Sequence, residues 1–107
     1  FAEAEALCSA WAEAHPDDAY AYWWEGFYRT RQKRDEDALE SFAKSFKISQ
    51  GELGSAALEA GFCKWRMGDL ESAGKWMVEA QGASIKNWTD DKNRSPVAQI
   101  VLMARVP

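Results

Sequence analysis

At 107 residues, 47% hydrophobic and 28% charged, the chain has one domain's length and the composition of a folded globular protein, not a disordered one. Its net charge of −4 argues against a nucleic-acid binder, whose footprint would be basic. Its longest apolar run is far short of a membrane span. One histidine and two cysteines, outside any C-x-x-C or Cys/His cluster, build neither a zinc site nor a disulfide framework. Cys8 and Cys63 are expected as small buried apolar residues. Phe1 is not an initiator Met and Pro107 follows directly on an apolar run. The chain is therefore expected to be an excised piece, in which a missing leader carries no information. A cytoplasmic location is expected.

Helical signals dominate. "FAEAEALCSAWAEA" at the start is rich in Ala, Glu and Leu, which favour helix. Pro16 in "HPDDA" ends that helix, and Asp17 or Asp18 caps the next, expected over about residues 18–32. "KRDED" is a turn with Asp35 as N-cap; Glu36 and Asp37 then sit in a first turn favoured by the helix dipole. In "EDALESFAKSFKIS", Ala38, Leu39, Phe42, Phe46 and Ile48 recur near helical spacing. After the break "QGELGS" comes the helix "SAALEAGFCKWRM". Asp69 is then expected to cap a further helix, "LESAGKWMVEAQ", ending at Gly82. In the tail, Ser95 and Pro96 make an N-cap and N1 pair that predicts a helix over about 96–105. Val97, Ile100, Val101 and Ala104 would form its apolar face; a strand or a partner-binding segment is the alternative.

The two middle segments repeat. Gly26 and Gly61 are 35 residues apart, and so are Ala38 and Ala73, Phe42 and Met77, and Ser45 and Ala80. Small residues fall on small and large apolar on large apolar. A period in this range signals a helical solenoid.

These positions resemble the tetratricopeptide repeat family. Gly26, Ala38, Phe42 and Ser45, then Gly61, Ala73, Met77 and Ala80, stand where that family places its small, Ala, large apolar and small residues. Gly68 and Asp69 match its frequent Gly-Asp turn, and Pro16 the terminal Pro of a preceding repeat. Glu25 and Arg29 depart from it, standing where Leu and Tyr are usual; Ala60 and Lys64 occupy the same two places in the next repeat, and Pro is absent at Gln50 and Ile85. The resemblance implies an all-α fold: a short right-handed solenoid of antiparallel helix pairs with a C-terminal capping helix. Residues 1–16 would be the second helix of a truncated repeat, 19–52 and 54–87 two repeats, and 88–107 a linker and capping segment.

The run "AYAYWWEGFY" at 19–28 holds six aromatic residues in ten. On a helical wheel Ala19, Tyr22, Gly26 and Arg29 fall on one side. Tyr20, Trp23, Trp24, Phe27 and Tyr28 share an arc of roughly 140° on the other. The family resemblance makes the first side the seam with the partner helix and puts groove positions at Tyr20, Trp23, Trp24, Phe27, Thr30 and Arg31. In the next repeat they fall at Ser55, Leu58, Glu59, Phe62, Trp65 and Arg66. From these, Tyr20, Trp23, Trp24, Phe27, Arg31, Leu58, Phe62, Trp65 and Arg66 are the candidate peptide-binding residues. Apolar anchors would fill spaces between rings, and the arginines would take a carboxylate or stack on rings. The bland alternative packs Trp23, Phe27 and Tyr28 against the preceding helix around Trp11. The Lys and Asn of the family's carboxylate clamp for chaperone tails are missing from these positions, which argues against that ligand.

No catalytic, cofactor or metal site is expected. His15 sits in a turn with no nucleophile to activate. The carboxylates of Glu3, Glu5, Asp17, Asp18, Asp35, Glu36 and Asp37 are explained by first turns and solvated faces. "DDKNRSP" lacks the turn glycine of a calcium loop, and its twelfth place from Asp91 is Leu102. "NWT" at 87–89 spells a glycosylation sequon, for which chance is the better explanation. The expected function is a non-catalytic interaction scaffold binding a peptide or helix with apolar anchors. The alternatives are a recruiting segment of a larger enzyme and a homo-oligomerising module.

Overall fold

The structure, a computed structural model, describes residues 1–90, and the surroundings of side chains as far as Ala83. Among the described residues there are five α-helices and no strand: α1 (Ala2–Ala14), α2 (Ala19–Arg31), α3 (Asp35–Ile48), α4 (Gly54–Arg66) and α5 (Leu70–Asp90). They pack in chain order, α1 on α2, α2 on α3, α3 on α4 and α4 on α5.

The 35-residue repeat is written in the backbone. The turn after α2 closes with Lys33 N–H donating to Thr30 O (2.9 Å) and Arg34 N–H to Arg29 O (3.0 Å). The turn after α4 closes with the same pair shifted by one period, Gly68 to Trp65 (3.0 Å) and Asp69 to Lys64 (3.0 Å). Both turns put one residue in the left-handed conformation, Lys33 (φ 60°) and Gly68 (φ 85°), and so reuse the helix carbonyls that would otherwise lack donors. The matched small residues also do the same work twice. A Cβ on Gly26 would lie 2.9 Å from Cζ of Phe42, and one on Gly61 would lie 3.2 Å from Cγ of Met77. Each glycine lets its helix approach the next at the large apolar residue of the same repeat.

The core is built largely from small residues. Ala38, Phe42, Ala60 and Cys63 are fully buried, with Trp23, Leu39 and Trp76 packed around them. A second cluster of Ala12, Ala21 and Tyr22, backed by Ile48, joins α1 to α2 and α3. Burial pushes up the thiol of Cys63, and both burial and the Glu25 charge push up that of Cys8, so both sulfurs are protonated and free. Cys63 meets the expectation of burial; Cys8 is only half-buried.

Three local expectations need correction. Asp35 is the first residue of α3 and not its cap: the backbone enters the helix one residue earlier, where Arg34 O accepts from Ala38 N–H (2.9 Å) and the Arg34 side chain, having only donors, makes no capping bond, while the Asp35 carboxylate pairs with Arg66 at 2.9 Å. Gly82 does not end a helix: α5 continues to Asp90 and absorbs both the sequon and the start of the expected linker. One interior glycine costs only about 1 kcal/mol. Unlike Gly51 and Gly68, Gly82 has not turned to positive φ to stop the ladder. The helix expected at α4 also begins one residue early, at Gly54. The helix expected over 96–105 lies outside the described residues.

Candidate peptide-binding groove

Helix α2 carries the aromatic run, and two devices fix it. At its start the Asp18 carboxylate caps the helix: Oδ1 accepts from the N–H groups of Tyr20 (3.0 Å) and Ala21 (3.3 Å). Its Oδ2 accepts from the indole N–H of Trp11 on α1 at 2.8 Å. The Trp11 hydrogen bond, chiefly, holds this carboxyl below its ordinary range.

On the inward side, the two residues that depart from the repeat pattern form a polar network. Glu25 is 8% exposed. Its Oε2 accepts from Ser9 Oγ of α1 (2.6 Å) and its Oε1 from Ser41 Oγ of α3 (2.7 Å). Arg29 lies 3.5 Å from Glu25, donates to Ser41 Oγ (2.8 Å) and pairs with Glu5 of α1 at 2.8 Å. Glu5 also takes Arg34 (2.6 Å) and the Gln32 amide (2.9 Å). One charged web thus joins α1, α2 and α3. The sequence contained its signal, a Glu and an Arg four apart on one helix face. What was missing is that Ser9 and Ser41 arrive from two other helices.

With Glu25, Gly26, Ala21 and Tyr22 buried inward, the remaining rings of α2 divide between two places. Trp23 stacks on Phe27 at 5.8 Å and meets buried Phe42 edge-on at 6.0 Å. The Arg31 guanidinium sits 5.0 Å above the Phe27 ring. Trp23, Phe27, Thr30 and Arg31, with Lys33 from the turn and Glu59 from α4, line a pocket of about 420 Å³. Tyr20 and Trp24 turn the other way. With Leu7 and Trp11 of α1 they line a second pocket of about 280 Å³. Trp24 links the two by edge contacts to Trp23 (4.9 Å) and Phe27 (5.4 Å). Tyr28 leans on Phe1 at 6.2 Å.

Of the nine candidate residues, the structure brings Trp23, Phe27 and Arg31 to the α2–α4 pocket and places Tyr20 and Trp24 in the α1–α2 pocket. Leu58, Phe62 and Trp65 run as an exposed stripe along α4. Arg66 is held by Asp35 and, at 3.4 Å, by the sulfur of Cys63. Trp23 packs toward α3 and α4 and not toward Trp11. Lys33 and Glu59 are lining residues; Glu59 held a groove position in the sequence, whereas Lys33 carried no signal there.

The α2–α4 pocket has two apolar rings, two cations and one carboxylate in its wall. Among the described residues neither Arg31 nor Lys33 has an acidic partner. A cleft of similar size, about 430 Å³, lies over Phe46 and Trp76, but its lysines are engaged, Lys64 by Asp69 (3.6 Å) and Lys75 by Glu71 (3.5 Å). Among the described residues no group of His, Cys, Asp and Glu is arranged to hold a metal, and no helix is long and apolar enough to cross a membrane. Comparison with protein-family models, curated proteins and solved structures finds no match.

Proposed function

We propose that this chain is a non-catalytic protein–protein interaction module, a short right-handed solenoid of tetratricopeptide-like helix pairs that receives a peptide or helix between α2 and α4. The observation that carries the reading is the pocket in which half-buried rings of Trp23 and Phe27 stand beside Arg31 and Lys33. A bulky apolar side chain finds ring faces there, and a neighbouring Asp or Glu finds two cations that have no acidic partner among the described residues. Glu59 on the opposite wall disfavours a second acid and sets the direction of the bound segment. The repeated turns and the repeated Gly26–Phe42 and Gly61–Met77 contacts support the solenoid. On this reading residues 1–16 end a truncated repeat, and 19–52 and 54–87 are two successive ones.

Selection of random displayed peptides on the chain tests this. Enrichment of sequences that place a bulky apolar residue next to Asp or Glu is expected; enrichment of nothing overturns the reading. A second reading, self-assembly, is favoured by the exposed stripe of Leu58, Phe62 and Trp65, spaced to share one face of α4. A mass that rises with concentration and falls back in a Trp65→Ser variant would select it.

A further inference from the structure

We propose that the pocket between α1 and the start of α2 is an aromatic cage for a methylated ammonium group. The site adjoins the peptide groove along α2, where Trp24 touches Trp23 and Phe27, but Leu7, Trp11, Asp18 and Tyr20 belong to it alone. Three rings, Trp11, Tyr20 and Trp24, stand in its wall with Leu7, and Asp18 is the charged side chain among the described residues that line it. Indole and phenol rings present negative π faces to a cation, most strongly where water is displaced. One carboxylate beside them supplies the countercharge.

The hydrogen bonds of Asp18 decide which cation fits. A carboxylate has about four acceptor positions. Trp11 Nε1, Tyr20 N and Ala21 N already occupy three of them. A primary ammonium carries three donors and a tightly held water shell, and the one acceptor position left on Asp18 can satisfy only one of those donors. A trimethylammonium group has no donor, spreads its charge over its methyls and matches an apolar wall. Asp18 stays ionised to meet it, because the Trp11 hydrogen bond holds its carboxyl low. The positive end of α2 opposes a cation, but it amounts to about half a charge against the full charge of the carboxylate.

Two of the rings are held before any ligand arrives. Trp11 is fixed by its bond to Asp18 and by stacking on His15 at 4.0 Å. Trp24 is fixed by its edge contacts to Trp23 and Phe27. Binding therefore orders few side chains, which limits its entropic cost.

Calorimetric titration of the chain tests the proposal with choline, with 3,3-dimethylbutanol as the uncharged analogue of the same shape, and with one short peptide carrying either trimethyllysine or lysine. The trimethylated head groups should bind at least about tenfold tighter than the uncharged analogue or the unmodified peptide. Choline binding identifies a free small molecule, and peptide binding alone identifies a modified protein tail; either supports the cage. Trp24→Leu should abolish binding while helix content is retained. Asp18→Asn, which keeps a good cap, should weaken the cation about tenfold and leave the analogue unchanged. If Trp24→Leu loses helix content, Asp18→Asn decides. Equal binding of cation and analogue, indifference to Asp18→Asn, or no binding by any probe overturns the proposal.

Discussion

Replacing Glu25 by Leu, the residue that the tetratricopeptide resemblance would lead one to expect there, should destabilise this chain. The carboxylate is 8% exposed and accepts two short hydroxyl bonds, from Ser9 (2.6 Å) and Ser41 (2.7 Å). Bonds to a charged group contribute about 1.5–3 kcal/mol each. Against them stands the desolvation of a buried carboxylate, on the order of several kcal/mol, which leucine removes. Breaking a buried pair by deleting one partner costs about 3–5 kcal/mol. Here the loss is smaller, because Arg29 keeps Glu5 at 2.8 Å and Ser41 keeps the carbonyl of Asp37 at 3.3 Å. The balance is a loss of about 2 kcal/mol, or roughly 8–16 °C in Tm for a domain of this size. Adding Arg29→Tyr should recover at least about 1 kcal/mol, since the two changes act on one network. Urea unfolding followed by circular dichroism on the four members of this double-mutant cycle measures both quantities. A Glu25→Leu chain as stable as its parent, or two strictly additive changes, would refute the view that this web ties the three helices.

Gly26→Ala should cost about 1–2 kcal/mol, since the new methyl meets the buried Phe42 ring at 2.9 Å and overpacking outweighs the gain in helix propensity. Gly61→Ala, facing the flexible end of Met77 at 3.2 Å, should cost less than half of that; the reverse order by thermal melting would contradict the assigned contacts. Acid should weaken the fold through three carboxyls held low. Burial raises Glu5, but the bonds from Arg29, Gln32 and Arg34 outweigh it and bring it below 4.5. Asp18 is held below 3.8 first by Trp11, and Asp69 first by the Ser72 N–H. Their contribution is complete above the unfolded values and is lost as pH falls through the lower folded ones. The urea midpoint should hold from neutral pH to about 4.5 and drop below it, less steeply in Glu5→Gln. A midpoint flat to about pH 3 would contradict this.

Much of the fold was legible because its determinants are local or periodic. Asp18 and Asp69 cap the helices they precede, and the 35-residue period pairs Gly26 with Gly61, both of which the structure places at close helix approaches. What the sequence concealed depends on a third element. The aromatic arc of α2 looks continuous on a wheel. In three dimensions α1 lies beside Tyr20 and Trp24 while α4 lies beside Trp23 and Phe27, so one expected groove becomes two pockets. Arg66 matched Arg31 in the repeat, but Asp35 stands across from Arg66 alone and claims it. Glu25 and Arg29 looked like defects in the pattern until Ser9 and Ser41 supplied their partners from α1 and α3. Gly82 resembles a stop because glycine favours helix ends, but position-specific φ, not composition, decides whether a helix stops.

The most direct test of the interaction reading is the affinity of the most enriched selected peptide for the parent chain, for Phe27→Ala and for Arg31→Glu, with helix content checked in each. Phe27 is half-buried and Arg31 exposed, and neither belongs to a buried core cluster. The account predicts unchanged helix content and a loss of at least about tenfold in both variants, smaller for Arg31→Glu at high salt. A peptide that binds all three chains equally, or a selection that enriches none, would contradict it.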